Sequence, residues 1–187
     1  MAIDQVVPVK GIGEVKYDLA YGGAFYAYVD ADKIGLDLTV DNYADISKIG
    51  MDIKQAVMEN SDNIIHPFES ELSFLYGTIF ISQSSSSFSD NRNVCVFADG
   101  EVDRSPTGSG VSGRMAIHYE KGEIGIGAKM RIESIIGSVF IAKVIEEVKF
   151  GPFKAVIPEI EGEAFITGQH SFFIDPNDPF KDGFFLR

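Results

Sequence analysis

The stretch VDRSPTGSG, residues 102–110, groups side chains and backbone that are suited to binding a charged small molecule. Ser105 can cap a helix and Pro106 suits a first helical position, so the stretch predicts a helix start. The glycines that follow each cost about 1 kcal/mol relative to alanine inside a helix. Glycine also lets a ligand approach the backbone closely, and a helix N-terminus offers free N–H donors with a partial positive charge. The stretch therefore predicts a site for an anion, either a phosphate or a carboxylate.

Asp103 lies four residues before Thr107, on the strand side of the same turn. A carboxylate there could hold an amine while the helix start holds a carboxylate, which indicates an amino-acid ligand. A phosphate-binding P-loop is excluded because no GK[ST] follows the glycines. The other interpretation is a glycine-rich surface turn in which Asp103 pairs with Arg104, and the spacing leaves both open.

Two stretches have the apolar spacing of helices. In residues 41–60, Ile46, Ile49, Ile53 and Val57 recur at steps of three and four, which predicts an outer amphipathic helix. The second helix, at about 109–121, is short and has little polar face; its polar members are Arg114, His118 and Glu120. We expect a sheet to wrap around this second helix.

Strand-like segments make up most of the remaining chain, which predicts an α+β fold with a mostly antiparallel sheet. They are rich in Val, Ile, Phe and Tyr and are separated by Gly, Pro or Asn. The serine-rich residues 82–93 between two of them predict a hairpin loop. The segments are GEVKYDLAY, AFYAYVDA, GTIFISQ, NVCVFAD, EIGIGAKMRIES, SVFIAKVIEEVKF, KAVIPEIEGEAFITG and SFFIDP.

Composition excludes several classes of partner. The net charge of −12 argues against nucleic acid, which needs clustered Lys and Arg. No apolar run is long enough to cross a bilayer, and the first residues lack the pattern of a signal peptide. A single cysteine cannot form an internal disulfide, which indicates the cytoplasm. The three histidines match no metal-binding spacing, so we expect neither a metal nor another cofactor.

Several motifs together resemble the proline racemase family: AYGGAFYAYVDA, NVCVFADGEVDRSPTGSG, ESIIGSVF, AVIPEIEGEAFITG and DPNDPFKDGF. They occur in the family's order and span nearly the whole chain. The resemblance implies a fold similar to diaminopimelate epimerase, with two like domains, each a β-barrel around a central helix. It places the active site between the two helix N-termini.

Thr107 distinguishes this chain from the racemases and epimerases of the family, which carry Cys at that position and use two cysteines. Threonine there resembles the trans-3-hydroxy-L-proline dehydratase branch, which removes water and needs one thiolate. By resemblance, Asp103 binds the ring amine, the amides of Gly108 and Ser109 hold the carboxylate, and Thr107 positions the substrate hydroxyl or a water. A 4-hydroxyproline epimerase or proline racemase relative and a non-catalytic amino-acid-binding module are the alternatives.

The family's other motif, Cys-Gly-His, is absent from these 187 residues. Cys95 alternates along a strand with Asn93 and Phe97, so we interpret it as inert core rather than a substitute base. The chain thus resembles the second half of a family member and is inactive by itself. Residues 1–163 correspond to the second domain and 164–187 to a tail that returns to the first. With that cover absent, the tail predicts an exposed edge strand or pairing with a partner, as in a homodimer.

Overall fold

The computed structural model describes residues 1–84 and 86–185 and shows one sheet with two α-helices. This confirms the predicted α+β class. Short 3-10 turns lie at Asp32–Ile34, Val40–Asn42 and Ser70–Leu72. The main elements are β1 (Ala2–Val9), β2 (Gly13–Tyr21), β3 (Phe25–Asp30), α1 (Tyr43–Asn60), β4 (Leu75–Gln83), β5 (Asn91–Phe97), β6 (Glu101–Val102), α2 (Gly108–Glu120), β7 (Lys129–Glu133), β8 (Val139–Phe150) and β9 (Phe153–Glu161).

The strands are ordered β1-β2-β3-β4-β5-β7-β8-β9, with β6 paired to the end of β5. Neighbouring strands are antiparallel except at β3–β4 and β5–β7, which are parallel. The sheet curls but does not close into the expected barrel, because β1 and β9 are its two ends and share no register among the described residues. A cavity of about 690 Å³ lies between the end of β2 and strands β8 and β9.

The two faces of β3 show how the sheet separates the helices. Phe25, Ala27 and Val29 point into one core cluster, which includes the buried face of α1. Tyr26 and Tyr28 point the other way, toward α2. The far side of α2 packs in a third cluster against β7 and β8. Helix α2 is therefore central and α1 is outer, as predicted.

Helix α1 buries three of its four predicted core positions, Ile46, Ile53 and Val57, while Ile49 is partly exposed. Gly50 takes part in the buried stripe as well. A Cβ at Gly50 would lie 2.6 Å from the Cβ of Val96, so the absence of a side chain lets the helix approach β5. Hydrophobic periodicity does not predict this close approach, because glycine counts as neither apolar nor polar in the pattern.

Four strand predictions need correction. Strand β1 was not predicted, the strand predicted over 123–134 is reduced to Lys129–Glu133, and the strand predicted over 154–168 ends at Glu161. The segment SFFIDP forms no strand, and residues 161–185 are exposed throughout. A strand exists only when a neighbour supplies hydrogen bonds, and this segment has none among the described residues. The serine-rich loop joins the antiparallel strands β4 and β5 as predicted, although Ser85 lies outside the described residues.

Candidate functional site

Thr107 sets the start of α2 through an unusual backbone conformation. Its φ of 67° and ψ of 102° lie in the left-handed half of conformational space, where a β-branched residue is rare. The helix begins at the next residue, Gly108. The prediction that Ser105 caps the helix and Pro106 opens it is therefore wrong. The Ser105 hydroxyl instead accepts a hydrogen bond from the Thr107 amide at 3.0 Å and stabilises the turn.

The Asp103 carboxylate gathers the donors of its own loop. It accepts hydrogen bonds from the Ser105 amide at 2.8 Å, the Ser105 hydroxyl at 2.9 Å and the Thr107 hydroxyl at 2.8 Å. Among the described residues it forms no ion pair with Arg104, whose side chain is exposed. The surface-pair interpretation is therefore not what the structure shows. The contact with Asp103 also orients the Thr107 hydroxyl, because its single proton is already donated.

Several backbone donors remain open at the start of α2, and among the described residues the Gly110 amide is one of them. The Val111 amide makes the first bond to the turn, to the Thr107 carbonyl at 2.7 Å. The amides of Gly108 and Ser109 have no acceptor in the part of the chain that the structure describes. A Cβ at Gly108 would meet nothing within 4 Å, so no other part of the described protein packs against this residue. Such a pair of donors can hold a carboxylate.

The helix start is seated on strand β3 and on the turn after β2. The Tyr26 hydroxyl is 2.8 Å from the Ser109 hydroxyl, and the Tyr28 hydroxyl donates to the Gly110 carbonyl at 2.7 Å. Burial raises the pKa of Tyr26 to about 12, so this phenol stays neutral. At Gly22, a Cβ would lie only 2.2 Å from the Ser109 carbonyl oxygen. Sequence reasoning missed these supports, although the alternation of β3 placed both tyrosines on one face.

Cys95 lies beneath Thr107 and is fully buried. Burial raises the pKa of its thiol to about 12, and the neighbouring Thr107 side chain only partly opposes this shift. The thiol therefore stays protonated near neutral pH. This agrees with the interpretation of Cys95 as core rather than as a base.

Arg114 is the second buried polar group under the loop. Its predicted place on the polar face of α2 is wrong, since the residue is only 5% exposed. The guanidinium donates to the Asn93 side-chain oxygen and to the Arg92 carbonyl, and the Asn93 amide donates to the Pro106 carbonyl at 3.3 Å. Burial lowers the pKa of Arg114 to about 10, which leaves it charged at neutral pH. Hydrophobic periodicity along α2 cannot reveal the burial of Arg114, because its hydrogen-bond partner Asn93 lies in a distant part of the sequence.

The four residues predicted for the site, Asp103, Thr107, Gly108 and Ser109, thus come together in one turn. None of them lines the 690 Å³ cavity or a second, polar cavity of about 240 Å³ near the end of α2. Asp103, Gly108 and Ser109 are partly exposed, whereas Thr107 is only 8% exposed. Within residues 1–84 and 86–185, no group of three His, Cys, Asp or Glu side chains is arranged to hold a metal ion. Over the same residues, no helix has the length and apolarity to span a bilayer.

A curled mixed sheet around a central helix, with a glycine-rich turn at the helix start, defines a diaminopimelate-epimerase-like α+β domain. The family model described as proline racemase matches residues 1–185. The chain belongs to the proline racemase family.

The similar proteins share both sequence and fold with this chain. It is 52% identical over 186 residues to a trans-3-hydroxy-L-proline dehydratase of Colwellia psychrerythraea and covers 52% of that protein. It is 44% identical over 189 residues to the trans-3-hydroxy-L-proline dehydratase of Homo sapiens, of which it covers 53%. The chain thus spans about half the length of these relatives.

Two solved structures match 99% of the chain at 31% identity. A probable proline racemase from Agrobacterium radiobacter, with bound carbonate, has a TM-score of 0.89, and the chain covers 54% of it. A hydroxyproline epimerase from Agrobacterium vitis, with bound trans-4-hydroxy-L-proline, has a TM-score of 0.87 and is covered to 52%.

Proposed function

We propose that this chain supplies one face of the active site of a trans-3-hydroxy-L-proline dehydratase. The observation that carries the proposal is Thr107, which presents a hydroxyl, not a thiol, beside the open amides of Gly108 and Ser109. The dehydratases among the relatives, at 44% and 52% identity, support the same reaction.

The geometry supports a distinct role for each group. The amides of Gly108 and Ser109 hold the substrate carboxylate, where charge grows as the α-proton departs. The Asp103 carboxylate accepts three hydrogen bonds, and a carboxylate has about four lone-pair sites, so one remains for the ring amine. Because the Thr107 hydroxyl donates its proton to Asp103, its lone pairs accept from the substrate 3-hydroxyl or a water.

The α-proton must leave to a base that this chain does not place at the turn. A threonine hydroxyl is not acidic enough for the task, and the thiol of Cys95 is buried with a pKa of about 12. We assign the base to the other face of the site, outside these 187 residues. It takes the α-proton, and the C–H electrons form the Cα–Cβ double bond. The C3–O bond breaks with its electron pair on oxygen, which takes one proton from solvent and leaves as water. The resulting enamine tautomerises to pyrroline-2-carboxylate.

The same reasoning separates dehydration from epimerisation. Epimerisation needs a second acid on the opposite face of Cα to return a proton, and Thr107 is a poor acid. Dehydration returns no proton to Cα. To test this, the chain is mixed with a polypeptide covering the remaining half of the Colwellia psychrerythraea relative and given trans-3-hydroxy-L-proline. We expect pyrroline-2-carboxylate to appear. Deuterium exchange at Cα with the hydroxyl retained would show an epimerase instead.

Binding to the isolated chain is tested by calorimetry with pyrrole-2-carboxylate, a planar carboxylate analogue. The variant Gly108→Ala puts a methyl group where no protein atom lies within 4 Å, so stability should be unchanged or up to about 1 kcal/mol higher. The added methyl group is attached to the Cα next to the Gly108 amide and should crowd a carboxylate bound there, so we expect affinity to fall at least about tenfold with loss of a charged hydrogen bond. Gly125→Ala, also in open space, is the matched control. Equal affinity in both variants contradicts the anion site.

We further propose that residues 164–185 associate with a partner, either a second copy or the remaining half of the enzyme. Support comes from the exposure of the tail, in which Phe165, Phe172 and Phe173 are each more than 80% exposed. Apolar groups in such number mark an interaction surface. Light scattering should show an assembly that is lost when the chain ends at Gly162; a monodisperse monomer with a protease-resistant tail refutes the proposal. We place the reaction in the cytoplasm, which cell fractionation tests.

A further inference from the structure

A line of polar groups, buried at Arg114 and Asn93 and exposed at its outer end, connects the far end of α2 with the turn that precedes Thr107. His118 Nδ1 lies 2.5 Å from a Glu123 carboxylate oxygen, and Arg114 Nε donates to His118 Nε2 at 3.2 Å. Arg114 also donates to the Asn93 side-chain oxygen, and the Asn93 amide donates to the Pro106 carbonyl at 3.3 Å. The line therefore ends one residue before Thr107.

Every bond along this line has a fixed direction. Arg114 carries only donors, so His118 Nε2 must be an acceptor and cannot hold a proton. The imidazole proton is then on Nδ1, pointing at Glu123. The line is complete only while His118 is neutral. Protonation of Nε2 would remove the acceptor and put a second positive charge beside the guanidinium.

We propose that His118 is a positioning residue for the segment from Pro106 to Ser109, acting through Arg114 and Asn93. Arg114 and Asn93 are only 5% and 0% exposed, so they cannot reorient into solvent when one bond is lost. A shift of the guanidinium passes to Asn93 and from there to the Pro106 carbonyl. The inference rests on the proposed function only for the ligand measurement below.

Charged groups surround His118 from several elements. Arg114 shares its helix, and Lys121 and Glu123 follow the helix end. The Lys121 ammonium is paired with Asp18 at 2.6 Å, which limits its effect on the imidazole. Burial, and next Arg114, lower the pKa of His118, while Glu123 opposes the shift. The remaining charged groups lining the 240 Å³ cavity that His118 also lines are Asp4, Lys16, Asp30 and Lys33.

The test is an NMR titration of the full chain, which follows the backbone amides of residues 107–109 and the imidazole of His118. In the wild type we expect a step in the amide shifts with the same midpoint as His118. The step should vanish in His118→Gln, whose side chain can accept a hydrogen bond but takes up no proton. It should persist in His170→Gln, the matched control in the exposed tail. The proposal is overturned if the amide shifts do not change at the His118 midpoint, or if the step persists in His118→Gln.

Ligand binding gives a second measurement. At neutral pH we expect His118→Leu to weaken binding of pyrrole-2-carboxylate about fivefold or more, since the hydrogen bond to Arg114 is lost. His118→Gln should restore the affinity and make it independent of pH. Equal affinity in the leucine variant and the wild type counts against the positioning role. If the wild type binds no ligand, the proposed site fails, and the amide titration still decides the role of His118.

Discussion

Replacing Gly22 by alanine tests how tightly the start of α2 is seated. The added Cβ would lie 2.2 Å from the Ser109 carbonyl oxygen, 2.4 Å from the Gly113 nitrogen and 2.9 Å from the Ser112 Cβ. Two of these three atoms belong to the backbone of the helix and cannot rotate away. The φ of Gly22 is not in the left-handed region, so the effect of the substitution is steric and not conformational.

The size of the effect follows from these distances. Relieving a 2.2 Å contact to a normal separation of about 3.3 Å moves the helix start by about 1 Å, since non-bonded atoms are at their optimum near 3.5–4.0 Å. Overpacking costs about 1–3 kcal/mol in general. With two backbone contacts at once, we expect the upper end, about 3 kcal/mol of unfolding free energy.

Urea unfolding followed by circular dichroism measures the loss. With an m-value of about 1–3 kcal/mol/M, the midpoint should fall by about 1–3 M at unchanged slope. Gly125→Ala is the control, because its Cβ would meet nothing within 4 Å and its φ is not left-handed. A loss below about 0.5 kcal/mol, within the range of ordinary surface substitutions, would refute the seating of the helix on Gly22.

Three further predictions concern the buried groups. The Cys95 thiol, with a pKa of about 12, should react with a disulfide reagent at pH 8 only after unfolding, and rapid labelling of the native chain would contradict this. The pKa of His118 is lowered by folding, so the unfolded chain binds its proton first, and stability should fall as pH drops below about 6.5. His118→Gln should reduce that slope in urea unfolding at several pH values; an unchanged slope excludes this origin. Gly50→Ala would set a Cβ 2.6 Å from the Cβ of Val96 and should cost about 1–3 kcal/mol by urea unfolding, a cost that would be absent if α1 were loosely packed.

The local pattern of apolar and polar residues was sufficient to predict an element where that element depends mainly on its own residues. Strand β2 has the predicted bounds, and α1 begins two residues after the expected Asp41. Strand β1 was missed because Pro8 and the polar residues before it weaken its alternation, yet it pairs with β2 over most of its length. For the tail, a strand was predicted where none forms, since an apolar run predicts a strand whether or not a neighbouring strand is available to pair with it.

The same distinction applies to the candidate site. Asp103, Thr107, Gly108 and Ser109 are close in sequence, so spacing alone grouped them in one turn. The Ser105 cap could not be judged, because the left-handed conformation of Thr107 is not what its residue type favours. The supports from Tyr28 and Arg114 depend on strand register and on partners from distant parts of the chain.

The parallel pairing of β5 with β7 extends over only two residue pairs, Asn91 with Ile132 and Arg92 with Glu133. The seam is also crossed by the Arg92–Glu133 ion pair at 2.9 Å and by hydrogen bonds between Asp90 and Arg131. Away from this end of β7, helix α2 joins the two parts of the sheet, β1–β5 and β7–β9, because it contributes to an apolar cluster on each side. Transient opening at this seam would detach β7–β9 without unfolding the rest. Native-state hydrogen exchange should then reveal two cooperative units, with the C-terminal hairpin opening at lower free energy than β2–β5.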